Sequence, residues 1–541
     1  MNNTRFTIEK PVNETIYGYS PGSPERERID RELQRQASTV VDIPLIIGGR
    51  EVRTGDTGEV VMPCEHSHVL ATYHKAGEEQ VRMAMESALK AREEWATLSW
   101  VERASISMKA ADMLASRYRD AINVSTMLGQ GKNIHQAEID AAVETVDFLR
   151  FNAHFASQIY SGQPGSTLQQ LNRLEYRPLE GFVFTVTPFN FTSIASNLNM
   201  SVALMGNTTV WKPATTSLLS SYYLMKVFME AGVPEGVINF LPGSGSRIGG
   251  EVLSNPDFTG LHFTGSNSTF NTLWRNVSSN LEVYRNYPRL VGETGGKDFI
   301  FVHGSADPLE VATAIVRGAF EYQGQKCSAA SRAYIPESLW EEIRDAMLDM
   351  LGKITTGDVR DGSNFVNAVI DEASFDGIME YIDMAKDSSS ARILAGGSGD
   401  KSEGYYIEPT VILTEDPSFR TMREEIFGPV MTIYVYPDDR FEETLELCDR
   451  TSPYALTGAV FTSDRYAFVK ACRALRYAAG NFYLNDKPTG AVVGLQPFGG
   501  ARASGTNDKA GGPLNLLRWV SPRTIKETFI PATDFRYPFM E

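Results

Sequence analysis

Cysteine is scarce in this chain: Cys64, Cys327, Cys448 and Cys472 are the only four in 541 residues, far apart and without a C-x-x-C pair. That usage excludes a disulfide framework and offers no metal-ligand spacing, so no metal is expected and a reducing compartment suits it. Long apolar runs are lacking too. No stretch approaches the roughly 18 consecutive apolar residues of a membrane span, so no membrane partner is expected. The opening MNNTRFTIEKPVNETIYG has no apolar signal segment, and it is neither Arg/Ser-rich nor acid-poor as transit peptides are. A cytoplasmic location is therefore expected, with the mitochondrial matrix as the alternative if a presequence has been removed. Positive charge is not in excess: 51 Lys and Arg against 67 Asp and Glu leave a net charge of −16. That disfavours nucleic acid as a partner and leaves a small-molecule pocket open, since backbone N–H groups can still hold an anion. Internal repeats and low-complexity segments are also absent.

With 42% hydrophobic and 22% charged residues, the chain can bury the cores of two or three domains. Residues 1 to about 40 read as a polar arm plus a short helix, PERERIDRELQR. Helices follow. Val81, Met85, Ala88 and Leu89 share one stripe, and Ser99 with Glu102 forms a capping box that opens the next helix. From 181 the character changes. Short apolar runs (GFVFTV, TTVWKP, VINFLPG, GLHFTG, FIFVHG) alternate with helical stretches such as SLLSSYYLMKVFMEAG, which predicts a parallel α/β sheet with helices on both faces. A second series runs from about 306 to 485: a helix over 306–322, a strand at SRAYIP, helices through 388, then strands near TVIL, TIYVY and GAVFTS. The first block lacks G-x-G-x-x-G. It has Pro242-Gly243-Ser244-Gly245 and Gly265-Ser266 after apolar strands, where glycine lets a backbone approach phosphate at a helix N-terminus; glycines there are equally ordinary turn residues.

Three short segments carry chemistry. Cys327 in GQKCSAASR follows a helix, and its Gly, Gln, Lys and Ser flanks suit an accessible, electropositive setting that would lower a thiol pKa, although a buried cysteine acting as a small hydrophobe is the plainer reading of the residue alone. Glu293 in ETGGK stands at a strand end where a carboxylate can serve as a general base. Asn190 in PFNF can donate its amide to a developing oxyanion. Read singly, the last two are also satisfied as polar turn residues.

Together with WKP (211–213), FTGS (263–266), EEIFGP (424–429) and PFGG (497–500), these motifs resemble the aldehyde dehydrogenase superfamily, in order and from about residue 40 to the end. The resemblance implies a Rossmann-like cofactor domain (1–161 and 182–293), an α/β catalytic domain (294–505) and a small oligomerisation hairpin (162–181 with 519–537), and hence at least a homodimer. It implies NAD as cofactor, with Cys327 as nucleophile, Glu293 activating the water that hydrolyses a thioester, and the oxyanion held by Asn190 and the Cys327 N–H. Lys212 matches the lysine on the adenosine ribose and Glu425 the glutamate on the nicotinamide ribose, with Phe427 beside the ring. Gly265 and Ser266 match the pyrophosphate turn, with Asn267, Ser268 and Thr269 following, and Thr187 matches a backbone contact. Many relatives carry a glutamate three residues after that lysine; this chain has Thr215, so NAD over NADP is not read from a charge.

SPGSPERE (20–27), QAEIDAAVETVDFLRFNA (136–153), FEYQGQKCSAASR (320–332) and QPFGGARASGTNDKAGGP (496–513) resemble the branch of the family that oxidises glutamate semialdehyde to glutamate in proline breakdown. That resemblance implies a carboxylate anchor at Pro488-Thr489-Gly490-Ala491. Ala491 stands where many relatives have Ser, leaving the Gly490 and Ala491 N–H groups and Ser328 as donors. It further implies Phe191 and Phe498 flanking the methylenes and Glu144 near the amino group, where a solvated helix carboxylate is the alternative. Another small anionic aldehyde, a phosphorylating dehydrogenase and a scaffold without turnover are the competing readings.

Overall fold

The computed structural model describes residues 6–540. Two seven-stranded sheets form its frame. In the first, the strands run in the order Arg289–Glu293, Phe258–Thr264, Phe182–Val186, Thr209–Lys212, Ile238–Phe240, Leu45–Ile47, Arg50–Val52. The five from 182 onward are parallel, and the two from the N-terminal region add an antiparallel edge. The second sheet runs Ala391–Ala395, Thr410–Thr414, Val430–Tyr436, Ala330–Pro336, Asp298–Val302, Thr457–Phe461, Asn481–Leu484, parallel except for the first pair. Central strands are apolar without alternation because helices cover both faces: all of Phe258–Thr264 and all of Asp298–Val302 are buried.

The sheet expected to be parallel is thus mixed at its edges. The strands between 41 and 74, read at the sequence level as part of a helical region, are short or half-exposed, so their apolar signal is weak. The helical expectations stand elsewhere. Glu78–Trp95 buries Val81, Met85 and Ala88, and the Ser99–Glu102 box caps Trp100–Ala115. The segment expected as a hairpin over 162–181 contributes one strand, Gln170–Pro178, which pairs antiparallel over nine residues with Val520–Thr528.

ETGGK joins the two sheets: Glu293 ends a strand of the first and Asp298 begins a strand of the second. Carboxyl ends of parallel strands are where ligands bind in such folds. Here the carboxyl edge of the first sheet faces the loop that enters Ala330–Pro336. That loop follows the helix Pro308–Phe320, whose N-terminus is capped by Asp307 accepting from the Leu309 and Glu310 amides. The chain then turns through Tyr322 and Gln323 with φ of 53° and 54°, a left-handed conformation costing about 1–3 kcal/mol for each non-glycine residue. Hydrogen bonds hold it there. The Tyr322 hydroxyl donates to the Gln130 carbonyl at 3.0 Å, and Gln323 Nε2 donates to the Gly131 and Ala368 carbonyls at 2.8 Å each.

Candidate active site

A cavity of about 340 Å³ lies between the sheets. Glu293 reaches it from the first sheet and Cys327 from the loop of the second, so the nucleophile and base candidates share one space. Phe191, Phe498, Glu144, Ser328, Gly490 and Ala491 also line it, which brings together every residue expected at the substrate end. Glu144 sits on a π-helical turn, Glu138–Glu144, and accepts from the Ser193 hydroxyl at 2.9 Å. The wider helical turn is a recurrent feature of functional sites.

The electrostatics of Cys327 differ from expectation. An electropositive surrounding was expected from Lys326, but Lys326 turns away into an ion pair with Glu321 at 3.1 Å. Burial pushes the Cys327 thiol well above its ordinary range, and the carboxylates of Asp298, Glu293 and Glu425 raise it further. The resting group is therefore a thiol, and a nucleophilic role would require a proton acceptor. Glu293 is held the same way. Neither of its carboxylate oxygens has a hydrogen-bond partner among the described residues, and burial pushes its pKa well above the carboxylate range against the nearby Lys509 ammonium. A buried, unpartnered carboxylate is costly unless something uses it.

Asn190 is buried and does not itself line the cavity. Its Nδ2 donates to the Gln325 carbonyl at 3.0 Å, two residues before Cys327, which ties the segment after the Phe182–Val186 strand to the loop that carries Cys327. An amide has two N–H donors, so one remains for an oxyanion.

The residues matched to the cofactor form a second group, most of them along the carboxyl edge of the first sheet, with Glu425 and Phe427 on the segment that enters Val430–Tyr436 of the second. Lys212 ends its strand as a cation with no ion-pair or hydrogen-bond partner among the described residues, and burial lowers its pKa. The Thr187 amide donates to the Lys212 carbonyl at 3.2 Å, and the Thr187 hydroxyl accepts from the Trp211 indole at 2.9 Å. Ser266 caps the helix Asn267–Ser279, accepting from the Thr269 amide at 3.3 Å, and Ser266, Ser268 and Thr269 are exposed around that N-terminus. Asn267 instead donates to the Ala503 carbonyl at 2.8 Å, and the Gly265 amide donates to the Glu293 carbonyl at 3.2 Å. The turn thereby touches the strand that carries Glu293. Glu425 accepts from the Gly296 amide at 3.0 Å, and burial lifts its pKa to about 7. Its approach requires glycine at 295, where a Cβ would fall 2.0 Å from the Glu425 carboxylate. Phe427 packs edge-on against Phe189 at 5.8 Å. An unpaired lysine, an open helix N-terminus and a carboxylate fit a dinucleotide's ribose hydroxyls and pyrophosphate.

Sequence reasoning missed several lining residues. Asn13, Glu14 and Ile16 of the N-terminal arm reach the cavity. They are held because Asn13 Nδ2 donates to Asp147 at 2.7 Å and to the Val493 carbonyl at 2.8 Å, and the Glu14 amide donates to Asp147 at 2.8 Å. His135, Lys326 and Lys487 line another part. No local pattern marks the arm residues, since their partners lie far off in the chain.

The model of the aldehyde dehydrogenase family matches residues 51–525. Over 539 residues, the chain is 52% identical to a mitochondrial delta-1-pyrroline-5-carboxylate dehydrogenase of Dictyostelium discoideum, covering 99% of this chain and 97% of that protein. A mouse protein of the same name is 49% identical over 533 residues, covering 98% and 95%. Among solved structures, the delta-pyrroline-5-carboxylate dehydrogenase of Mycobacterium tuberculosis bound with NAD superposes with a TM-score of 0.97 at 49% identity, covering all of both chains. Among the described residues, no helix is long and apolar enough to cross a membrane, and no group of His, Cys, Asp and Glu could hold a metal ion.

Proposed function

The chain belongs to the aldehyde dehydrogenase family, and from that premise we propose that it oxidises L-glutamate γ-semialdehyde, the open form of 1-pyrroline-5-carboxylate, to L-glutamate with NAD as oxidant. The observation that carries this reading is the convergence of Cys327 and Glu293 on one cavity that also holds Glu144, Ser328 and the 488–491 loop. Such a cavity suits an aldehyde with a carboxylate and an ammonium at its far end.

The roles follow from the chemistry. Cys327 releases its proton to solvent and its sulfur adds to the aldehyde carbon, forming a thiohemiacetal. The oxyanion is held by the free N–H of Asn190 and by the Cys327 amide. NAD, when bound, accepts the hydride that leaves this carbon. Lys212, the turn at Gly265 to Thr269, Glu425 and Phe427 would hold it, with Thr187 lending its backbone. The remaining thioester is hydrolysed by a water whose proton goes to Glu293, which returns the Cys327 thiol and frees the acid. Ser328, Gly490 and Ala491 receive the α-carboxylate, Glu144 the ammonium, and Phe191 and Phe498 flank the chain between. Residues 1–161 with 182–293 and residues 294–505 serve as cofactor and catalytic domains. The ribbon of Gln170–Pro178 and Val520–Thr528, with exposed Leu171 on it and exposed Leu168 and Ile530 just beyond its end, serves as the surface joining copies into at least a dimer. The compartment word in the names of the Dictyostelium and mouse relatives favours the mitochondrion over the cytoplasm.

The test is NADH formation with pyrroline-5-carboxylate beside a panel of simple aldehydes, in the wild type and in Cys327→Ala. Turnover is expected with pyrroline-5-carboxylate, weak with uncharged aldehydes, and lost in the variant by at least about 10⁴-fold. Turnover of other aldehydes alone would keep the mechanism and overturn the substrate, pointing to Ala491. NAD binding without any turnover would favour the scaffold reading.

A further inference from the structure

The loop 488–491 has no hydroxyl at Ala491, so a carboxylate bound there lacks one donor. The residue just before the loop offers a charge in its place. Lys487 Nζ donates to the Thr489 carbonyl at 3.2 Å, which folds the side chain back beneath the loop. A Cβ on Gly490 would lie 3.0 Å from that ammonium, and Gly490 adopts φ 101°, a conformation that keeps the position free of a side chain. Nothing therefore stands between the ammonium and the loop's backbone.

The charge is also uncommitted. The carboxylate near Lys487 is Glu321 at 3.9 Å, and Glu321 is already paired with Lys326 at 3.1 Å. Two ammoniums share one carboxylate, leaving one positive charge in surplus at a place only 22% exposed on the Lys487 side. Burial holds the neighbouring His135 toward its neutral form, so it does not compete. Lys326, Lys487, Ser328 and Thr489 all line the cavity, and the Ser328 hydroxyl donates to that of Thr489 at 2.9 Å. Glu144 also lines the cavity, where it accepts from the Ser193 hydroxyl at 2.9 Å.

We propose that Lys487 is a specificity-determining residue, whose ammonium supplies the counter-charge for the carboxylate of the aldehyde while Glu321 neutralises Lys326. This deepens the reading of the site as one for carboxylate-bearing aldehydes. A single buried charge-assisted contact discriminates strongly against a substrate that cannot complete it.

The experiment is steady-state kinetics of the full chain with NAD on matched substrate pairs: pyrroline-5-carboxylate against pentanal, and succinic semialdehyde against butanal. Lys487→Met is expected to raise KM for the carboxylate-bearing member of each pair about tenfold or more. Its kcat should stay within about twofold, and kcat/KM for the uncharged member should hold. Lys487→Arg should recover most of the loss. Lys487→Gln is read in parallel so that a folding failure of the methionine variant leaves the test intact. An equal loss on charged and uncharged members would make Lys487 a prop for the loop and overturn the proposal, as would an unchanged KM. The second pair separates this outcome from the substrate's identity: selectivity for succinic semialdehyde that Lys487→Met erases supports the proposal even if pyrroline-5-carboxylate is not turned over.

Discussion

On the wall of the cavity built by residues 119–144, buried charges are matched. Glu138 is fully buried and receives the Tyr17 amide at 2.9 Å, the Tyr19 hydroxyl at 2.9 Å, Asn123 Nδ2 at 2.7 Å and the Arg119 guanidinium, which itself stacks on the Tyr17 ring at 3.8 Å. Asp140 pairs with Lys132 at 2.7 Å and caps the helix Thr192–Leu204 through the Thr192 and Ser193 amides at 3.0 and 2.9 Å. On the wall built by 293–298 the opposite holds. Both oxygens of Glu293, Oδ2 of Asp298 and Nζ of Lys297 have no hydrogen-bond partner among the described residues. Burial pushes Asp298 up to about 8 and Lys297 down to about 7. The first wall uses its charges to fix geometry. The second keeps proton-exchanging groups near neutrality, where a group can both take and give a proton.

Removing a charge from the unmatched wall should damage chemistry and spare the fold. Glu293→Gln keeps the shape and loses the base, and about 10³-fold in kcat is the expected loss. Stopped-flow should still show one rapid equivalent of NADH, because hydride leaves before hydrolysis begins. The wild type needs Glu293 as carboxylate, and burial raises its pKa, so its steady-state rate should fall as pH drops through the elevated pKa while the burst persists. A variant without the burst would place Glu293 before hydride transfer and undo the assignment.

Removing a charge from the matched wall should do the reverse. Glu138→Gln leaves Arg119, only 2% exposed, with a neutral amide on one side and Glu14 at 3.2 Å as its remaining carboxylate. Breaking a buried pair from one side costs about 3–5 kcal/mol, read as a lower urea midpoint. The N-terminal arm, held through Tyr17 and Tyr19, should become more open to protease, while kcat of the folded fraction stays within about threefold. A loss of kcat without a loss of stability would erase the contrast between the walls.

What the sequence reveals follows the same division. Cys327, Glu293 and Asn190 are ambiguous one by one and become legible as a set, because each stands in a short motif and the motifs follow one another in a recognisable order. The Ser99–Glu102 cap is legible because its contacts span three residues. The arm is not: Asn13 meets Val493 480 residues away. Lys326 misleads, since its adjacency to Cys327 in the chain suggests a cation on the thiol, whereas the fold offers it Glu321. The π-helical turn at 138–144 leaves no periodic trace that a 3.6-residue reading detects, and the edge strands from 45 to 52 are too short to announce themselves.

Glu144 lies between the two kinds of wall, with one partner, Ser193, and a pKa pushed up to about 8 chiefly by burial and then by Asp140. A carboxyl that holds its proton more tightly when folded contributes stability in full below its unfolded value near 4.5, and that contribution is lost as pH rises toward about 8. The wild type should therefore lose stability across that window, and Glu144→Gln, which cannot ionise, should not. The wild-type Tm is expected to fall relative to the variant by about 4 °C between the two ends of the window, a modest effect because the unfolding entropy of so long a chain is large. Parallel slopes in the two proteins would mean that Glu144 is ionised throughout, as a member of the matched wall. A steeper wild-type slope that L-glutamate flattens would instead show the ammonium meeting this carboxylate, since a bound cation favours the ionised form and lowers its pKa.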